Sequence, residues 1–284
     1  MPAYRPMIWQ LPRLALQLDR GPVWMGIVNV TPDSFSDGGR YFDPQQAVDH
    51  GLQLAADGAA VLDVGGESTR PYSQPLPATE ELRRIVPVIE ALVRQTNVPI
   101  SIDTSKANVA RAAMAARAQI INDVTGLEGD SEMIEVARDT NAAVCAMHMQ
   151  GTPQTMQDAP HYDDVVEEIY GYLECRRRWL LERGLEPARI CLDPGIGFGK
   201  THEHNVQLLR HVARFTQLGT PILVGHSRKG FIGSVLGDKQ LERDSGTLGV
   251  SMHLAVSGIH IIRVHNVGLH SRAWRLWQTV RGEN

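Results

Sequence analysis

The chain is expected to be α/β, a (β/α)8 TIM barrel with a short N-terminal extension, and three observations predict it. Short apolar runs alternate with longer amphipathic ones eight times along the 284 residues, and strict βα alternation gives a parallel sheet with right-handed crossovers. Most of the runs are apolar on both faces, as parallel strands are when helices cover one side and packed side chains fill the other. Each run also turns polar at its C-terminal end, the end at which barrels of this class build their active sites.

The expected strands are Val23 to Val30, Val61 to Glu67, Pro99 to Ser105, Gln119 to Val124, Ala142 to Met149, Ile190 to Gly195, Pro221 to Ser227 and Ile259 to His265. Each is short, often β-branched and bounded by Gly, Pro, Asn or Asp. Between them, Asp43 to Gly58 opens with Asp-Pro and stops at Gly, as helices do. Thr79 to Gln95 carries Leu82, Ile85, Val86, Ile89, Leu92 and Val93 at helical spacing. Asp163 to Gly184 is the longest helical stretch. Residues 1–20 fall outside the repeat; the Leu14 to Leu18 run is expected to form a strand or hairpin capping the barrel floor, with residues 21–284 as one catalytic domain.

Composition narrows the class. A net charge of −4 gives no basic field for nucleic acid. The triplet Arg176, Arg177 and Arg178 lies on a helical stretch and is expected to be a solvated face. No apolar run reaches the length of a membrane span, and the N-terminal stretch lacks the uninterrupted apolar run of a secretory signal. Three cysteines, an odd number without metal-site spacing, predict a reduced, cytoplasmic protein. Cys145 and Cys191 fall in strand runs and are expected in the core.

The polar strand ends set the chemistry. They offer carboxylates at Asp63, Asp103 and Asp193, amides at Asn29 and Asn122, and cationic or potentially cationic groups at Arg70, Lys229, Arg263 and His265. Carboxylates and amides suit a flat heterocycle with amino and oxo edges. The cations suit a phosphorylated group. Glycines at 65, 66, 195, 197, 199 and 230 let the backbone come close. Asp123 and Asn266 fit cap or turn residues. Two tempting motifs fail. GIGFGKT ends like a phosphate-binding loop, but Pro194 stands where the first Gly is needed. His202 and His204 fall at a helix start without metal-ligand spacing and are expected at the surface. His226, just before Ser227, is assigned no role.

The segments NVTPDSFSDGG (Asn29 to Gly39) and DVGGESTRP (Asp63 to Pro71) resemble the two signature stretches of dihydropteroate synthases. SIDTSK, IINDV, MHMQGTPQTMQ, LDPGIGFGK, SRKGFIG and IIRVH follow in that family's order, so the resemblance covers about residues 23–281. It implies condensation of 6-hydroxymethyl-7,8-dihydropterin pyrophosphate with p-aminobenzoate to dihydropteroate and pyrophosphate. It implies a pterin pocket of Asp63, Asp103, Asn122, Met147, Asp193 and Lys229, and a pyrophosphate site of Asn29, Arg70, Arg263 and His265. Mg2+ would be held by Asn29 and Asp37, with Asp33 an alternative to Asp37. Phe35, Thr69, Pro71, Ser227 and Lys229 would frame p-aminobenzoate, where sulfonamides would compete. Asp103, Lys229, Arg70, Arg263 and His265 would be the catalytic set. A homodimer acting on small molecules alone is also implied. Asn266 stands where the family usually has Asp.

Two other readings compete. A methyltetrahydrofolate-dependent methyltransferase of the same superfamily could share Asp103, Asn122 and Asp193, but has no use for Ser227 to Lys229 or Arg263 to His265. A non-catalytic pterin-binding paralogue would have lost mouth residues, and here none of those expected is missing.

Overall fold

The computed structural model describes residues 6–31, 44–237 and 243–282. Two antiparallel strands come first, β1 (Ile8–Gln10) and β2 (Ala15–Gln17), paired Trp9 to Leu16. Eight parallel strands follow: β3 (Val23–Asn29), β4 (Val61–Gly65), β5 (Ile100–Asp103), β6 (Ile120–Asp123), β7 (Ala143–Met147), β8 (Ile190–Asp193), β9 (Leu223–Gly225) and β10 (Ile261–Val264). Their order is β8-β7-β6-β5-β4-β3-β10-β9, and a parallel bridge from Leu192 to Ile222 joins β8 to β9, closing the barrel.

The helices on the outside are α1 (Pro44–Ala56), α2 (Ala78–Gln95), α3 (Ala107–Ala115), α4 (Met133–Asp139), α5 (Val165–Glu182), α6 (His202–Arg210), α7 (Gly230–Leu236), α8 (Asp244–Val256) and α9 (Val267–Val280). Local chemistry starts several of them. Asp164 caps α5 by accepting from the backbone N–H groups of Val166 and Glu167 at 3.0 and 3.1 Å. Thr201 and His204 form a reciprocal capping box on α6. Asn266 caps α9, accepting from Leu269 N at 3.1 Å. Asp123 ends β6 pointing outward and ties the next turn by accepting from Thr125 N and Leu127 N at 2.8 and 3.2 Å. Both residues are therefore cap or turn residues, and Asn does the cap's work at 266.

Side chains of a strand alternate between its faces, and here the alternation sorts two cores. Outward residues such as Val28, Leu62, Val64, Ile102, Val144, Leu192 and Ile262 pack against the helices. Inward residues near the strand starts form a second, fully buried cluster: Met25, Val61, Ile120, Ala143, Cys145, Cys191, Leu223 and Ile261. The β1–β2 hairpin adds Trp9, Leu11 and Leu18 to that cluster and so covers the barrel floor. Trp9 Nε1 donates to the carbonyl of Arg189 at 3.0 Å, which satisfies its polar atom inside the apolar plug.

One expectation is corrected. Arg176 is not on a solvated face: it is buried, stacks over the Trp179 ring at 4.4 Å and pairs with Glu128. Its long stem fills the helix–barrel space while its head keeps a carboxylate and a π face, so a three-residue charge run misreads it. Among the described residues no helix is long and apolar enough to cross a membrane.

Candidate active site

The next inward positions along the same strands, one or two steps beyond the apolar plug, are polar: Asn29, Asp63, Asp103, Asn122, Asp193 and Arg263, with Met147 among them. The register that buries Met25, Val61 and Ile261 at the floor thus turns these side chains into the mouth, because the period along a strand is two. Arg263 sits between two carboxylates. Its Nε donates to Asp63 Oδ2 at 2.6 Å and its Nη2 to Asp103 Oδ2 at 2.8 Å. Asn122 Nδ2 donates to the same Asp63 oxygen at 3.1 Å. The other oxygen of Asp63 is buried without a partner among the described residues. Such a group in a pocket points to a ligand that donates to it. Burial lifts Asp103 to about 7 although Arg263 pulls it back, with Asp63 adding to the rise. Two acids share one guanidinium, and Asp103 is the one whose charge burial disfavours.

On the other side of the mouth, Asp193 Oδ1 accepts from Gly195 N at 2.7 Å. Burial pushes its pKa up; that hydrogen bond and the charges of Lys229, Lys200 and Arg263 oppose the rise. Lys229 donates to the carbonyl of Ile196 and lies 4.2 Å from the Phe198 ring centroid. Burial brings its pKa down to about 7. The loop that receives it is built from Gly195, Gly197 and Gly199, all with positive φ (70°, 85° and 62°). A Cβ on Gly197 would stand 2.7 Å from Lys229 Cδ. Glycine is required there both for the conformation and for the lysine's passage.

At the third edge, His265 Nδ1 lies 2.9 Å from Ser227 Oγ, and the His265 backbone N–H donates to that same oxygen at 3.3 Å. Burial, then Arg263 and Arg228, holds His265 down to about 3. These effects favour the neutral imidazole. Arg70 is exposed, and Thr69 and Pro71 flank it on the β4–α2 loop. That loop is anchored at its base: Glu67 accepts from Leu76 N at 2.7 Å and from Lys106 Nζ at 2.6 Å, and Lys106 also pairs with buried Glu81 at 2.6 Å. Its tip reaches the β7–α5 loop, where Tyr72 N donates to Pro153 O at 2.9 Å and Gln154 Nε2 to Ser73 O at 3.1 Å. Phe35, Asp37 and Asp33 lie outside the described residues.

Asn29 ends β3 half-buried, and its side chain makes no hydrogen bond among the described residues. Mg2+ takes oxygen ligands and usually one or two from protein beside substrate phosphates. Among the described residues no three His, Cys, Asp or Glu side chains converge as an all-protein cage. An amide oxygen at the rim with no partner among the described residues, on the strand next to the one that carries Arg263, fits a divalent ion carried on a phosphorylated substrate.

The sequence reading missed one buried group. Lys200 is 1% exposed, and its Nζ meets Phe198 O at 2.8 Å and His148 Nδ1 at 3.0 Å. It straps the loop after β7 to the loop after β8, just beyond the strand-end residues Met147 and Asp193. Its only sequence signal was its place behind three glycines, and that was set aside with the failed phosphate-loop motif. His226 is fully buried, with Nε2 3.0 Å from both Thr247 O and Ser251 Oγ; it ties β9 to α8. His202 is exposed and His204 serves the α6 cap, as expected for surface residues.

A family model described as pterin binding enzyme matches residues 25–265. Dihydropteroate synthase of Escherichia coli (strain K12) is 46% identical over 246 residues, 87% of each chain. The structure of Xanthomonas albilineans dihydropteroate synthase with 4-aminobenzoic acid is 45% identical, with a TM-score of 0.90 over 98% of this chain and 99% of that one. The same enzyme in complex with 7,8-dihydropteroate gives 44% identity and a TM-score of 0.87, over 96% and 98% of the two chains.

Proposed function

The chain belongs to the pterin binding enzyme family, and from that premise we propose that its barrel mouth joins 6-hydroxymethyl-7,8-dihydropterin pyrophosphate to p-aminobenzoate, giving 7,8-dihydropteroate and pyrophosphate. The observation that carries the reading is the inward ring at the strand ends. Asp63, Asn122 and Asp193 form a wall of hydrogen-bonding groups beside Arg263, Lys229 and the Ser227–His265 pair.

In this reading Asp193 accepts from the pterin amino edge and Lys229 donates to its oxo side, with Asn122, Asp63 and Met147 lining the pocket. The orphaned oxygen of Asp63 takes a further ring N–H. Asn29, Arg70, Arg263 and His265 hold the pyrophosphate. Arg263 spends two of the five N–H donors of a guanidinium on Asp63 and Asp103, leaving three for the anion. Mg2+, held by Asn29 and Asp37, supplies neutralisation of the leaving group's charge when bound. An aryl amine is a weak nucleophile, so early departure of pyrophosphate is the useful order, and Asp103 supports the positive charge that develops on the electron-rich ring. Ser227 and His265 pair at the mouth; in this reading both hold substrate groups, and no covalent enzyme intermediate is invoked. Thr69, Pro71, Phe35, Ser227 and Lys229 frame the amine substrate, and sulfonamides compete there. Arg70, on a loop fixed at its base by Glu67, reaches in to complete the site and exclude water.

The protein is proposed to act as a homodimer in the cytoplasm. Val235 and Leu236 are 67% and 48% exposed on α7, beside an apolar groove of about 410 Å3 between α6, α7 and α8, and Cys145, Cys175 and Cys191 are all free thiols. The test of activity is incubation with the pterin pyrophosphate, radiolabelled p-aminobenzoate and Mg2+. Labelled dihydropteroate that disappears with chelator supports the reading. Pterin binding without product would replace it with a non-catalytic pterin binder.

A further inference from the structure

We propose that Ser227 is a positioning residue that fixes His265 as a neutral imidazole with its proton on Nε2, making it an uncharged hydrogen-bond donor to the pyrophosphate. This rests on reading the mouth as a pyrophosphate site. Ser227 Oγ accepts the backbone N–H of His265 at 3.3 Å and lies 2.9 Å from His265 Nδ1. No other partner of this hydroxyl occurs among the described residues. A serine hydroxyl carries one proton and two lone pairs. If Nδ1 held the ring proton, Oγ would accept twice and its own proton, on a residue 7% exposed, would have no acceptor. If the hydroxyl donates to Nδ1, every group is used: backbone N–H to Oγ, O–H to Nδ1, and the ring proton on Nε2. That nitrogen has no protein partner among the described residues, and the side chain is half-buried at the rim.

The surroundings favour the same state. Arg263, Arg228 and Arg70 act against a charge on the ring, with Asp244 alone on the other side. A fourth cation would have to be desolvated among three. A neutral N–H still gives a directed donor to a phosphate oxygen, and it does not titrate with the arginines.

Selective 15N-histidine NMR on the whole protein reads the tautomer, with the His265 resonance assigned by its loss in His265→Gln. A protonated Nε2 with a bare Nδ1, unchanged from neutral to mildly acid pH, is expected. A protonated Nδ1, or an imidazolium at neutral pH, overturns the proposal. Calorimetry with inorganic pyrophosphate and Mg2+ gives the second arm. Ser227→Ala should weaken binding about tenfold, Ser227→Thr should restore it, and His265→Gln should keep more affinity than His265→Asn, because its amide N–H reaches near the Nε2 position. Equal affinity of wild type and Ser227→Ala also overturns it. If the tautomer and affinities are as stated but no dihydropteroate forms, the reaction assigned to the mouth fails while the role of Ser227 stands.

Discussion

The floor and the mouth of this barrel are made from the same strands, one or two inward steps apart, and they follow opposite rules. Along β3, β4 and β10 the inward positions run Met25 to Asn29, Val61 to Asp63 and Ile261 to Arg263. On these three strands the inward side chains at the floor, Met25, Val61 and Ile261, are apolar, and the hairpin adds Trp9, Leu11 and Leu18, all fully buried. At the mouth two carboxylates share one guanidinium and a buried carboxylate oxygen has no partner among the described residues. The floor gains stability from burial, about 1.5–3 kcal/mol for each large side chain. The mouth gives some of that up to hold polar groups ready for a ligand.

The sharpest break of this division is Asp193→Ala. It removes a buried carboxylate that the proposed substrate would engage, so kcat/KM should fall roughly a thousandfold. Thermal stability should hold or rise, since a desolvated acid is gone. A large fall in melting temperature with activity retained by the folded fraction would move Asp193 into the stability half. Trp9→Ala is the mirror experiment. It should cost about 3–5 kcal/mol in urea unfolding and leave both KM values unchanged under conditions where the protein stays folded. A change in KM would mean that the floor communicates with the site.

The division also explains what could be read from the sequence. The eight strands were legible because they are short, apolar and punctuated, and the mouth because polar residues gather at one end of all of them. Position at a strand end does not by itself give direction, whereas the period of two separates inward Asn122 from outward Asp123. Burial of charge was the harder part. Lys200 contacts carbonyls and the nitrogen of a distant histidine rather than a carboxylate, and Arg176 leans on Trp179, three residues on in the same helix, a spacing that marks the pair as neighbours without showing that both are packed inward. The low pKa of His265 depends first on burial and then on three arginines from different strand ends and loops, and its contact with Ser227 joins two strand ends. Contacts of that kind exist only once the barrel has closed.

Within the mouth itself, Arg70 separates the two substrates. It is exposed on the β4–α2 loop, whereas the pterin wall is built into strands. Arg70→Ala should lower turnover and raise the p-aminobenzoate KM by about tenfold to a hundredfold, with affinity for the pterin pyrophosphate largely kept in calorimetry. A comparable loss of pterin binding would assign Arg70 to the pocket wall instead.

The smallest effect expected lies on the stability side and comes from histidine. His226 is fully buried, and burial holds its pKa down to about 3 from 6.5. The folded state therefore refuses a proton that the unfolded chain accepts. Its contribution is complete above the unfolded value and is lost as pH falls from about 6.5 toward 3. His148 and His265, also held near 3, and His260, near 4, act with the same sign. His226→Gln keeps an N–H for the Thr247 carbonyl and removes one titration. Unfolding free energies at successive pH values should then fall less steeply in the variant, by about 1 kcal/mol per pH unit below 6.5. Parallel slopes for the two proteins would mean that His226 is protonated in the folded state. The contact from its Nε2 to Thr247 O would then be a charged one, and the link between β9 and α8 would strengthen, rather than weaken, in acid.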